Sequence, residues 1–131
     1  VKVVEGKPPN YAEIVHTFGP LPAGACFTWG DILYTAKGAF IDPGLELHEE
    51  THRAQQARAG GPERWWARYL ADPDFRREQE VEAYRKQAAL YRVSLPRKMR
   101  RPILNRIAKD LASSLYGRIV TKAEAREIVG V

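Results

Sequence analysis

The chain is poor in several things that would otherwise fix its class. It has one cysteine, Cys26, so no internal disulfide can staple it. A lone thiol fits a reducing compartment. No stretch approaches the run of about 18 apolar residues that a membrane-spanning helix needs, so no membrane partner is expected. No internal repeat, low-complexity tract or long linker divides the 131 residues, and a single domain over residues 1–131 is expected. No signal peptide is visible, which points to the cytoplasm; the chain begins at Val1 rather than Met, which leaves a removed leader open. Histidine is scarce too, with only His16, His48 and His52.

What is present describes a soluble globular protein: the hydrophobic share is 44% and the charged share 28%. A domain of this length buries roughly two-thirds of its unfolded surface, enough for a real core. The net charge of +5 is unevenly spread. Arg97-Lys98-Met99-Arg100-Arg101, with Arg92, Arg106 and Lys109 nearby, carries much of the excess. Such a cluster can meet nucleic acid or another anionic surface, or stand as a solvated helix junction. No aromatic interleaving or nucleic-acid motif accompanies it, so nucleic acid is not the favoured partner.

Two of the three histidines fall in one motif, His48-Glu49-Glu50-Thr51-His52. This is a complete H-E-x-x-H, which a random chain of this composition shows with a probability of about 0.5%. On a helix, residues four apart share one face. Two imidazoles so placed can reach one zinc ion at about 2.0–2.1 Å. The neighbouring Glu49 can accept a proton from water activated at that metal. Glu50 lies about 100° further round the helix and reads as a surface charge.

The remaining sequence supplies a setting. Val1–Val4 is a strand or tether, broken at Lys7-Pro8-Pro9-Asn10. Asn10 is a candidate cap for a helix over Tyr11–Phe18. Cys26–Trp29 and Ile32–Ile41 read as strands about a Gly30-Asp31 turn. Asp42-Pro43 is an N-cap and first helical residue, and the motif helix is expected to run to Ala59 before Gly60-Gly61. Further helices are expected over Glu63–Leu70, from Asp72-Pro73 to Val93, and from Pro102, with Ile103, Leu104, Ile107, Leu111 and Leu115 at helical spacing up to Gly117. Thr121 with Glu124 is a capping box for a last helix. The fold class is therefore mostly α with a small β-sheet, α+β, with H-E-x-x-H on a helix that follows a strand.

Two histidines do not complete a catalytic zinc site, which takes three protein ligands and an open position. The helix after Pro73 offers Glu78, Glu80 and Glu82. Val81, Tyr84, Ala88 and Tyr91 define its buried stripe. Glu80 lies about 60° from the stripe centre, Glu78 about 100° and Glu82 about 140°. Glu80 is best placed to point inward, where a carboxylate needs a partner and a metal supplies one.

H-E-E-T-H-R-A-Q-Q, the strand-like segment before it, and Glu80-Val81-Glu82-Ala83-Tyr84 on a later helix resemble the gluzincin branch of zinc metallopeptidases. The resemblance is closest to small, minimal members from bacteria and phages, and spans about Ile32 to Tyr91. It implies a minimal zincin-like fold, Zn2+ held by His48, His52 and Glu80, Glu49 as catalytic base, and a peptide or protein substrate. The Ile32–Ile41 strand resembles the edge strand that in such enzymes pairs with extended substrate. Where many gluzincins place an Asp bonded to a ligand histidine, this chain has Tyr84, whose hydroxyl is a candidate for that role.

A second electrophile usually steadies the oxyanion. Tyr84, Tyr91, Tyr34, His16 and an arginine all remain candidates, and Gln55 or Gln56 could orient a ligand. Trp65 and Trp66 read as one core ring and one rim ring, and Cys26 as a small buried thiol. The proline-glycine breaks make Val1–Gly24 a candidate removable segment. Two other readings stand beside zinc-dependent peptide hydrolysis: a non-catalytic zinc-binding component of a phage or secretion-type assembly, and a basic nucleic-acid-binding protein.

Overall fold

The computed structural model describes residues 1–131. Three strands and six α-helices form in the order β1 (Lys2–Glu5), α1 (Tyr11–Phe18), β2 (Phe27–Trp29), β3 (Ile32–Thr35), α2 (Pro43–Arg58), α3 (Pro62–Ala71), α4 (Pro73–Ser94), α5 (Arg97–Leu111) and α6 (Lys122–Val129). A 3-10 turn, Ser114–Tyr116, separates α5 from α6. The protein is mostly helical with a small mixed sheet, α+β. No helix is long and apolar enough to cross a membrane.

The helix starts follow their capping signals. Asp42 accepts from the Leu45 amide at 2.8 Å, Asp72 accepts from the Asp74 and Phe75 amides, and Thr121 with Glu124 forms the reciprocal capping box. Asn10 sits at the α1 N-cap without a side-chain cap, and its amide atoms are buried with no partner.

Several expected elements are redrawn. The strand ends at Thr35 and not Ile41, because Ala36–Ala39 folds into a turn closed by Ala39 N–H to Ala36 C=O, with Gly38 at φ 72°. The sheet order is β1-β3-β2, with β1 parallel and β2 antiparallel to β3. The strand before the motif helix is thus the central strand, not a free edge. The Val1–Gly24 segment is integral: β1 pairs with β3, and Ile14 of α1 is 1% exposed within a cluster of Trp65, Trp66, Tyr69 and Phe75. Removing it would strip a strand and uncover two tryptophans. Pro102 lies inside α5 rather than at its start. The buried row Leu104, Ile107, Ala108 and Leu111 offsets the backbone bond that proline removes. The chain leaves the α-helix at Leu111, so Leu115 belongs to the 3-10 turn.

A second cluster gathers Tyr84, Ala88 and Tyr91 of α4 with Leu104, Ile107 and Leu111 of α5 and Ala125 and Val129 of α6. Helix α2 packs between this layer and the sheet, yet it buries no large apolar side chain. Its buried residues are Gly44, His48, Glu49, Thr51, His52, Gln55 and Gln56. A buried polar face is costly unless each group is bonded, so α2 must be held by partners on its neighbours.

Gly44 permits the approach of α2 to α4: a Cβ there would lie 2.3 Å from the Tyr91 ring. Gly44→Ala is therefore expected to destabilise the fold by about 1–3 kcal/mol through overpacking. A thermal melt checks this, and an unchanged midpoint would show that the two helices have slack.

Candidate metal centre

The polar face of α2 is satisfied group by group. Gln56 donates to the Thr28 carbonyl at 2.8 Å and accepts from the Gly30 amide at 2.7 Å, stitching α2 to the β2–β3 turn. Thr51 donates to the Leu47 carbonyl within the helix. Gln55 donates to the Gln79 carbonyl and to Glu82, which turns its own oxygen toward His52 Nδ1 at 2.7 Å. Gln87 of α4 donates to the Tyr91 hydroxyl, and Tyr91 donates to Asp42. The Gln87 oxygen therefore faces His48 Nδ1 at 3.0 Å.

These contacts fix both imidazoles. An amide oxygen only accepts, so each Nδ1 carries its proton and each Nε2 of a neutral ring presents a lone pair. The two Nε2 atoms face each other at 3.1 Å. Glu80 Oε1 lies 3.3 Å from His48 Nε2 and 3.3 Å from His52 Nε2. The other carboxylate oxygen accepts from the Tyr69 hydroxyl at 2.6 Å. Three acceptors thus form a nearly equilateral triangle in a place where all three residues are 5% exposed or less. Acceptors so arranged can hold a metal ion, or share a proton in hydrogen bonds.

The triangle fits a metal. Bonds of 2.0–2.1 Å in a tetrahedron separate neighbouring ligand atoms by about 3.3–3.4 Å. His48, His52 and Glu80 are the one group of histidine, cysteine and acidic side chains in the chain with this convergence. Without a metal, a proton takes its place. Burial opposes charge on His52, but the Glu80 and Glu49 carboxylates outweigh it and raise the imidazole to about 9. Burial likewise opposes charge on Glu80, while His52 and then His48 hold its carboxyl well below the usual carboxylate range.

Glu49 stands beside the triangle. Thr28 Oγ1 donates to its Oε2 at 2.6 Å, and the Cys26 thiol approaches its Oε1 at 3.6 Å. Burial and then the Glu49 charge push the Cys26 thiol up, so it stays protonated. The cavity over these groups has a volume of about 40 Å³, room for only a few water molecules. Ile14 and Phe18 of α1 and Leu115 and Tyr116 of the 3-10 turn close it.

The expected residues sort as follows. His48, Glu49, His52 and Glu80 meet; Glu78 and Glu82 do not, Glu78 being exposed and Glu82 bonded to Gln55. Tyr84 does not hydrogen-bond a ligand histidine. Its ring stands edge-on to His48 at 4.6 Å and its hydroxyl meets that of Tyr116 at 2.7 Å. Gln87 is the partner of His48 instead, which the sequence reading missed because a glutamine in a helical stripe carries no signal of its own. Tyr91 acts one bond further out, on Gln87 and Asp42, and is absent from the cavity wall, as are Tyr34 and His16. Both tryptophans are buried and both line the cavity, so neither is a rim residue. Tyr116 was hidden in a stretch read as a helix end. Burial pushes the Tyr69, Tyr84 and Tyr116 phenols well up, so all three remain donors.

No protein-family model, curated protein or solved structure matches this chain. The candidate metal centre therefore rests on its own geometry.

Gln87→Ala and Gln55→Ala are expected to lower stability by about 1–3 kcal/mol through the partners left unpaired, and to weaken metal binding about 10–100-fold, because each frees one imidazole to rotate. Competition titration against a chelator measures this. Affinity should also rise with pH by about tenfold per unit below about 9, since a bound metal displaces the His52 proton. In chelated protein the sign reverses: a His52 value raised from 6.5 to about 9 gives stability that is full below 6.5 and lost as pH rises through 9. Melts of the chelated and metal-loaded forms across that window distinguish the two.

Proposed function

We propose that this chain is a zinc-dependent peptidase of the gluzincin kind, as the resemblance of its motif implies. The observation that carries the reading is the triangle of His48 Nε2, His52 Nε2 and Glu80 Oε1 with the Glu49 carboxylate beside it. Zinc suits two imidazoles and one carboxylate with a position left open, and its Lewis acidity would acidify water and polarise a scissile carbonyl.

The protein's own groups divide the remaining work. Thr28 fixes one oxygen of Glu49 and leaves the other facing Cys26. That oxygen takes the proton of the attacking water and returns it to the leaving amine. Gln87 and Gln55 keep both Nε2 lone pairs directed at the metal position. Tyr69 donates to Oε2 of Glu80, which also lies 3.2 Å from His52 Nε2, so the phenol orients a carboxylate whose two oxygens both face the histidines. Tyr116, a neutral phenol on the cavity wall supported by Tyr84, is the group we assign to the developing oxyanion. Extended substrate has no free edge on β3, and the Thr28 carbonyl on β2 is taken by Gln56 and Trp66. A peptide must therefore enter by displacing α1 or the 3-10 turn.

One observation favours a second reading, a zinc-binding component without catalysis: the cavity is too small for a peptide as it stands. The two readings part at Glu49. On an unfolded protein substrate, wild type is expected to cleave, while Glu49→Gln retains one zinc per chain and loses activity by about 10²-fold or more. Tyr116→Phe should lower kcat with zinc content unchanged. Zinc retention without cleavage by wild type selects the non-catalytic reading; no zinc after reconstitution rejects both.

A further inference from the structure

The charge excess is concentrated in one stretch of the chain. Between Ala83 and Lys109 the chain carries nine lysines and arginines and no carboxylate; the next residue, Asp110, is an exposed acid that feels Arg106 and Lys109. Of the nine, only Lys86 lies within ion-pairing distance of an acid. On α5 the apolar face, Leu104, Ile107 and Leu111, is spent in the core. Lys98, Arg106 and Lys109 fall on the opposite, exposed face.

Helix α6 sorts its charges across its two flanks. Glu124 and Glu127 line one groove with Arg77 and Arg85 of α4, and Glu124 comes within 3.7 Å of Arg77. Lys122 and Arg126 line a different groove, about 240 Å³, against Asn105, Ala108 and Lys109 of α5. That groove holds three cations and an amide and no acid. Three cations facing one another across a groove repel in the free protein, and an anion between them relieves this.

We propose that the α5–α6 groove and the outward face of α5 bind the phosphate backbone of a nucleic acid, without reading sequence. The extent of the surface argues for a polyanion over a small anion. From Lys98 to Lys109 is about 16 Å of helix, which spans about five phosphates along one DNA strand. The cations are exposed and spread along this length, not gathered in a buried pocket. A membrane surface fits less well, because α5 has no free apolar face to insert. The exposed apolar side chains nearby, Val93 and Met99, are isolated.

The test is fluorescence anisotropy with a labelled mixed-sequence DNA duplex of about 20 base pairs, at several salt concentrations. Wild type is expected to bind with a log–log salt slope of about −4, a loss of roughly 10²-fold between 50 and 200 mM salt. Lys98→Glu/Arg106→Glu/Lys109→Glu, and separately Lys122→Glu/Arg126→Glu, should each weaken binding at least about tenfold. Lys2→Glu/Lys37→Glu, with the same charge change as the double variant but outside this surface, should have a much smaller effect. Binding should persist in His52→Ala and after chelation, which separates this surface from the metal centre. No binding at about 50 mM salt overturns the proposal. So does equal loss in the control variant, or binding to phosphatidylserine vesicles but not to the duplex. Circular dichroism melts of each variant confirm that the surface changes leave the fold in place.

Discussion

Everything near the centre of this protein follows from one requirement: a helix that buries polar residues must find a partner for each of them. Six of the seven buried residues of α2 are polar or charged, and the seventh is glycine. An unpaired buried polar group costs on the order of 1–3 kcal/mol, and several together would exceed the stability of a small domain. Matching donors to acceptors along α2 consumes Thr28, Gly30, Gln79, Glu82 and Gln87, while Tyr69 holds Glu80 of α4. What remains after that matching is three lone pairs pointing at one another. A proton on His52 or a metal ion can complete the set, and the spacing of 3.1–3.3 Å suits a tetrahedral metal.

The surroundings are organised to keep that triangle in shape. From His48 the chain of contacts runs through Gln87 and Tyr91 to Asp42, the residue that caps α2. His48 is thereby tied to the start of its own helix by way of α4. From His52 the contacts run through Gln55 to the backbone of α4 at Gln79. Gly44, Tyr91 and the caps at Asp42 and Asp72 are thus part of the site's support, although none touches the metal position. The aromatic wall of Trp65, Trp66 and Tyr69 excludes water and fixes Glu80 from the other side.

The molecule divides its charge between two tasks. The acidic groups concentrate around α2 and the start of α4, where they create the cation position. The unpaired basic groups concentrate on α5 and the flank of α6 that faces it. The separation is not complete: Arg76 is buried near Glu80 and Tyr69, and both raise its pKa against the lowering effect of burial.

Spacing and local chemistry were enough to determine much of this in advance. H-E-x-x-H places two imidazoles on one helical face because the α-helix repeats every 3.6 residues. The same periodicity ranked Glu80 above Glu78 and Glu82, and the Asp-Pro and Thr-x-x-Glu signals located the helix starts. These are short-range properties, carried by residues within a turn or two of one another. What lay beyond reach depends on residues distant in the chain. That β3 is central follows from β1 pairing with it across about thirty residues. That Gln87 and not Tyr84 holds His48 depends on the angle at which α4 crosses α2. That Tyr116 reaches the cavity depends on α5 ending at Leu111, four residues before the apolar spacing would have ended it. Sequence alone determined which side chains share a face. Only the tertiary structure decided which faces meet, because that choice is made by packing and by satisfying buried polar groups from different helices at once.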